Sequence, residues 1–88
     1  MARIEAEDLS DPELIFIGRS LRVARSAEEW LTAAGVDYAV QVEQIGRSIL
    51  FGTMRMGAAF YVTSAQAAHC RQQLTAAGLS AGVVEVED

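Results

Sequence analysis

The sequence predicts an α+β fold, a ferredoxin-like βαββαβ sandwich in which four antiparallel strands, ordered 4-1-3-2, carry two helices on one face. Three observations lead there. The pentapeptide LTAAG occurs twice, at Leu31 to Gly35 and at Leu74 to Gly78. With the two copies aligned, Ala24, Ala27, Leu31 and Ala34 fall on Ala67, Cys70, Leu74 and Ala77, and spacings of three and four put each set on one helical stripe. Each stripe lies between two segments with strand character, so the order strand-helix-strand is written twice.

Taken in chain order, residues 1–12 read as an acidic N-terminal arm and residues 13–88 as a single domain. Leu14-Ile15-Phe16-Ile17 is an apolar run of strand length. Ser20 stands where a helix N-cap belongs, and Gly35 at the C′ position where a left-handed residue ends the helix. Tyr38, Val40 and Val42 then alternate with Ala39, Gln41 and Glu43, the period of a half-buried strand. A long connection is expected at about 43–57. Ala59-Phe60-Tyr61-Val62-Thr63 is the third strand, Ser64 the expected cap of the second helix, and Gly78 its terminus. Val84 and Val86 alternate with Glu85 and Glu87 as the fourth strand.

At 88 residues the chain can build one modest core and not two. Eight of its twelve acids lie near the ends: Glu5, Glu7, Asp8, Asp11 and Glu13 at the front, Glu85, Glu87 and Asp88 at the back. The net charge of −5 therefore reflects the tails rather than the body. No lysine is present, which argues against Schiff-base chemistry and, with the acidic balance, against nucleic-acid binding. A lone Cys70 and a lone His69 cannot make a conventional zinc site, so neither metal nor cofactor is expected. No run is apolar enough for a membrane span, the front is acidic where a signal peptide would be basic, and a cytoplasmic location is expected.

Three surfaces are candidates for function. A sheet covered on one side needs apolar residues only at alternate positions, yet the first strand is apolar throughout. Its open face would carry either Ile15 and Ile17 or Leu14 and Phe16, with Tyr61 or Phe60 nearby; the interface candidates are Ile15, Ile17 and Tyr61. An apolar centre rimmed by Gln41, Glu43, Glu85 and Glu87 has the make-up of an oligomer interface. The alternative is that the arm folds back over it through Ile4 and Leu9. In the connection, Ile49, Leu50, Phe51 and Met54 would be costly to leave in water, so this segment is a candidate contact for a protein partner, or else an extended hairpin that packs on its own sheet or on a neighbouring subunit. Topology brings Arg19, Arg22, Arg47 and Arg55 to one end of the sheet, opposite Glu13, Glu85 and Glu87. Arg19, Arg47 and Arg55, beside the first helix's N-terminus, form a candidate anion site; the alternative pairs these arginines with tail acids of a neighbouring molecule.

Other residues read as structural. His69 and Cys70 are adjacent on a helix and point about 100° apart, which rules out a nucleophilic pair. The glycine spacing fits neither a P-loop nor a dinucleotide fingerprint.

The segments LTAAGVDYAVQVE and AAFYVTSAQAAHCRQQLTAAGL, with the glycine-rich connection between them, resemble small bacterial signal-transducing proteins related in fold to the PII regulators. The resemblance covers about residues 13 to 87. It implies a βαββαβ fold and a regulatory or adaptor role. PII proteins bind nucleotides with basic residues around a long loop, and the lysines expected of such a site are missing here.

The leading expectation is thus a non-enzymatic regulatory or interaction domain that self-associates through its open sheet face. A small-molecule sensor for an anionic metabolite is the second reading, and a cofactor-free enzyme of the dimeric α+β-barrel type the third. The last requires a polar, histidine-bearing cavity between helices and sheet.

Overall fold

The computed structural model describes residues 4–47 and 54–84. After a short 3-10 turn at Ala6–Asp8 come β1 (Pro12–Gly18), α1 (Leu21–Ala33), β2 (Tyr38–Arg47), β3 (Met54–Thr63) and α2 (Ser64–Leu74). A wide turn at Thr75–Leu79 and a 3-10 turn at Ser80–Gly82 follow. The three strands form one antiparallel sheet in the order β1-β3-β2. The fold is therefore α+β.

The repeat does specify two helices. Ser20 is extended and its hydroxyl accepts the Val23 amide at 3.2 Å, so α1 begins where expected. At the other end Val36 N donates to Leu31 O and Gly35 N to Thr32 O, both at 3.1 Å, with Gly35 at φ 73°. This is a Schellman ending, and the apolar contact that accompanies it joins Val36 to Leu31 in the core. The second copy starts one residue earlier than expected. Thr63, not Ser64, is the N-cap of α2; its hydroxyl makes no cap bond, and donates to the Ser10 carbonyl at 2.6 Å. Gly78 again has positive φ, 86°, but the turn before it is wound wider than in α1.

The core lies between the helices and one face of the sheet. Ala27 and Leu31 of α1 and Ala67, Cys70 and Leu74 of α2 pack on Phe16, Tyr38, Phe60 and Val62. Phe60 is its centre, edge-to-face with Phe16 at 5.7 Å and tilted against Tyr38 at 6.0 Å. The Tyr38 hydroxyl donates to Glu28 Oε1 at 3.0 Å and lies 3.3 Å from Thr32 Oγ1, so the ring is buried while its polar tip is satisfied from α1.

Strand β1 contains a bulge. Leu14 pairs with Tyr61 but Phe16 pairs with Phe60, which leaves Ile15 as an extra residue. A second register shift, between Gln44 and Gly46, lets β2 and β3 stay paired as far as Arg47 and Met54. The connection expected at 43–57 is thus shortened to residues 48–53, because its two flanks continue the ladder. The candidate contact residues Ile49, Leu50 and Phe51 lie outside the described residues.

Arg71 of α2 ties the end of the chain to the sheet. Its guanidinium donates to Leu14 O and Val84 O and pairs with Glu13 Oε2 at 2.7 Å. Replacing it by Met keeps the stem and deletes all three contacts. We expect Arg71→Met to cost about 2–3 kcal/mol, measured by urea unfolding, and to speed exchange of the Val84 amide, which donates to Ile15 O. Phe60→Ala should cost more, about 3–5 kcal/mol, as the centre of the core is emptied.

Candidate functional site

The face of the sheet turned away from the helices is set by the β1 bulge. Since Ile15 and Phe16 both enter the core, Leu14 and Ile17 on either side of them face out. Two rungs cross this face: Leu14, Tyr61 and Ala39 in one, Ile17, Ala59 and Gln41 in the other. Leu14, Ile17 and Tyr61 are half-buried, the two alanines are buried among them, and Gln41 is exposed. Of the interface candidates, Ile17 and Tyr61 are on this face. Ile15 is not: it is fully buried in the core, because the bulge turns two successive side chains inward.

The acidic arm crosses one end of the sheet. Ile4 N donates to Tyr38 O at 2.8 Å at the start of β2, and Ser64 N donates to Asp11 O at 2.9 Å at the end of β3. Between these ties Ile4 and Leu9 are half-buried, whereas Glu5, Glu7, Asp8 and Asp11 are exposed. Asp11 turns the chain into β1 with φ 45°, a conformation Asp tolerates better than most side chains. Asp37, exposed at the start of β2, adds to the negative charge of this end.

The opposite end carries the arginines. Arg19 and Arg22 are exposed where β1 passes into α1. The β2–β3 hairpin continues past Gly18, the last paired residue of β1, and takes the backbone of Arg47 and Arg55 to the same end, with Arg55 opposite Gly46. The side chains of Arg47, Met54 and Arg55 lie outside the described residues. What is described beside Arg19 is an open depression of about 240 Å³ lined mostly by Gly18, Leu21, Ala24, Val42 and Ala58. Leu21 and Val42 stand at its rim, 70% and 71% exposed. The Ser20 hydroxyl is already taken by Val23 N, which leaves the first backbone amides of α1 as the donors there.

Among the described residues no three His, Cys, Asp or Glu side chains gather as a metal site requires, and no helix is long and apolar enough to cross a membrane. His69 is exposed while Cys70 is fully buried. Trp30 is half-buried at the edge of the α1 stripe, beside Leu79. Two contacts lay beyond sequence reasoning, the Arg71 clamp and the anchoring of the arm by Thr63 and Ser64. Their partners are backbone carbonyls far away in sequence, and carbonyls leave no signature in residue type.

Comparison of the chain with protein-family models, curated proteins and solved structures finds no match.

Burial pushes the Cys70 thiol above its ordinary range, since the apolar core disfavours the thiolate. The unfolded chain ionises first as the pH rises, binds fewer protons than the folded one, and gains stability from doing so. Folding stability should therefore fall as the pH climbs through and beyond the ordinary thiol range. Urea titrations over that interval should show the decline, and it should be flatter in Cys70→Ala. At neutral pH a thiol reagent should label Cys70 only in denaturant.

Proposed function

We propose that the chain is a non-enzymatic regulatory or interaction domain that associates with a second copy of itself through the open face of its sheet. The observation that carries this reading is the pair of rungs built by Leu14, Tyr61 and Ala39 and by Ile17, Ala59 and Gln41. Half-buried apolar side chains at the centre of a sheet face that no helix covers, with a polar residue at its edge, are most stable when a second surface removes the rest of their area from water. The regulatory part of the reading rests on the resemblance to small bacterial signal-transducing proteins, and the cytoplasm is the compartment that goes with it.

A fourth strand belongs to the same proposal. Val83 makes an antiparallel bridge to Phe16, and Val84 N donates to Ile15 O at 2.8 Å, so the chain following Gly82 reaches the free edge of β1. Continued through Val86, it would complete the ferredoxin-like order 4-1-3-2 and widen the open face.

Binding is favoured over catalysis by the composition of the core. No polar or charged residue is buried among those described, and the space between helices and sheet is filled by side chains such as Phe16, Phe60, Leu31 and Leu74. The enzyme reading needs a polar cavity there. The sensor reading has Arg19 alone among the described side chains of its proposed triad.

The bulge makes the test sharp. Ile15→Glu and Phe16→Glu should unfold the protein, because each would bury a carboxylate in the core. Ile17→Glu should stay folded by circular dichroism and sediment as a monomer where the wild type sediments as a larger species. A wild type that is monomeric at several hundred micromolar would remove the reading.

A further inference from the structure

The open face by itself is small. Three strands about 4.8 Å apart and roughly six residues long make a patch of only about 15 by 20 Å. A stable pair of proteins covers about 800 Å² on each partner. Contact between two copies must therefore reach beyond the sheet, to its two ends.

Those ends carry opposite charge. At one are the exposed carboxylates of Glu5, Glu7, Asp8 and Asp37. At the other are the exposed Arg19 and Arg22, with no acidic residue in the first turn of α1 to balance them. Arg22 stands in that turn against the positive end of the helix dipole, where a carboxylate would be the stabilising choice. The register of β2 brings Glu43 to this end as well, but no carboxylate stands in the first turn of α1 to offset the two arginines. Local electrostatics that run against stability mark places where a partner completes them.

A two-fold pair packed face to face has its axis in the plane between the sheets. With the axis along the strands, arginine end meets arginine end and acid end meets acid end. With the axis across the strands, each acidic arm meets the partner's arginine end. We infer that two copies pack in this second, antiparallel arrangement, with the arm carboxylates of Glu7 and Asp8 from each copy paired with Arg19 of the other. The inference rests on the proposed self-association and fixes its orientation. The apolar rungs supply the central contact, and the charged ends supply register and exclude the parallel pairing.

The experiment is charge exchange within one chain, read by sedimentation equilibrium. Arg19→Glu alone should weaken the dimer about tenfold, a change of about 1.4 kcal/mol, and so should Glu7→Arg with Asp8→Arg. All three substitutions together restore opposite charges only in the antiparallel pair, so the triple variant should regain wild-type affinity. Raising the salt from 50 to 500 mM should weaken the wild-type dimer, as screening removes the end contacts. All these positions are exposed, and circular dichroism confirms that each variant is folded. A dimer that strengthens with salt, or that ignores all three substitutions while Ile17→Glu still dissociates it, overturns the antiparallel arrangement and leaves the open-face reading standing. A wild type that never dimerises overturns both.

Discussion

The extra residue in β1 decides how the rest of the molecule is arranged. A regular strand can present alternate side chains to a core, and a run such as Leu14-Ile15-Phe16-Ile17 would then waste two large apolar groups on one face. The bulge at Ile15 changes that allotment, sending Ile15 and Phe16 together into the core and leaving Leu14 and Ile17 outside. Phe16 thereby reaches Phe60, which in turn holds Tyr38, and the aromatic cluster onto which both helices pack exists only in this register. The open face follows from the same shift. Its centre is apolar because the two residues flanking the bulge are apolar, whichever neighbours they have.

Polar contacts then close the margins that the core cannot. Arg71 is largely shielded from solvent, yet its charge is met by Glu13 and two more of its N–H donors by carbonyls, so it does not suffer the cost of an unpaired buried cation. The two carbonyls belong to β1 and to the segment after Gly82, which makes one side chain of α2 the link between the first strand and the end of the chain. At the opposite corner the arm is held by backbone bonds at Tyr38 and Ser64 and by the Thr63 hydroxyl. The Thr63 hydroxyl thus stabilises the arm, and α2 has no side-chain cap bond.

Much of this was legible in the residues. The repeat specified two helices, the buried centres of their stripes and their glycine endings, because periodicity and left-handed termini are local properties, although Ala34 and Ala77, the last residue of each stripe, are exposed. Strand alternation leaves two choices for the open face, Ile15 with Ile17 or Leu14 with Phe16, and neither pair is the one found, Leu14 with Ile17. A bulge keeps the apolar pattern intact while changing which side chain points where. Of the two readings of the connection, the extended hairpin is the one its flanks follow. Gly46 and Gly57 read as loop residues, but strands with a register shift accommodate glycine, and β2 and β3 run on beyond both of them toward the turn. The backbone of Arg47 and Arg55 runs to the end where Arg19 and Arg22 are exposed, and the apolar rim there is made by Leu21 and by Val42, which alternation puts on the buried side of its strand; both lie where helix and strand no longer cover one another.

The repeat also bears on the charge distribution. Strands β1 and β3 are antiparallel, so the helices that follow them start at opposite ends of the sheet, α1 beside Gly18 and α2 beside Ser10 and Asp11. Their dipoles oppose one another and largely cancel. Among the described exposed side chains the separation of charge therefore comes from Arg19 and Arg22 at one end and Glu5, Glu7, Asp8 and Asp37 at the other. Only one of the two helix N-termini is matched by its surroundings: α2 begins among the acids of the arm, while α1 begins among arginines. An arrangement that satisfied the isolated chain would have put acids at both. With the mismatch at one end only, across the sheet from the exposed carboxylates of the arm, the proposed antiparallel pairing would let each of two copies offset the other's imbalance.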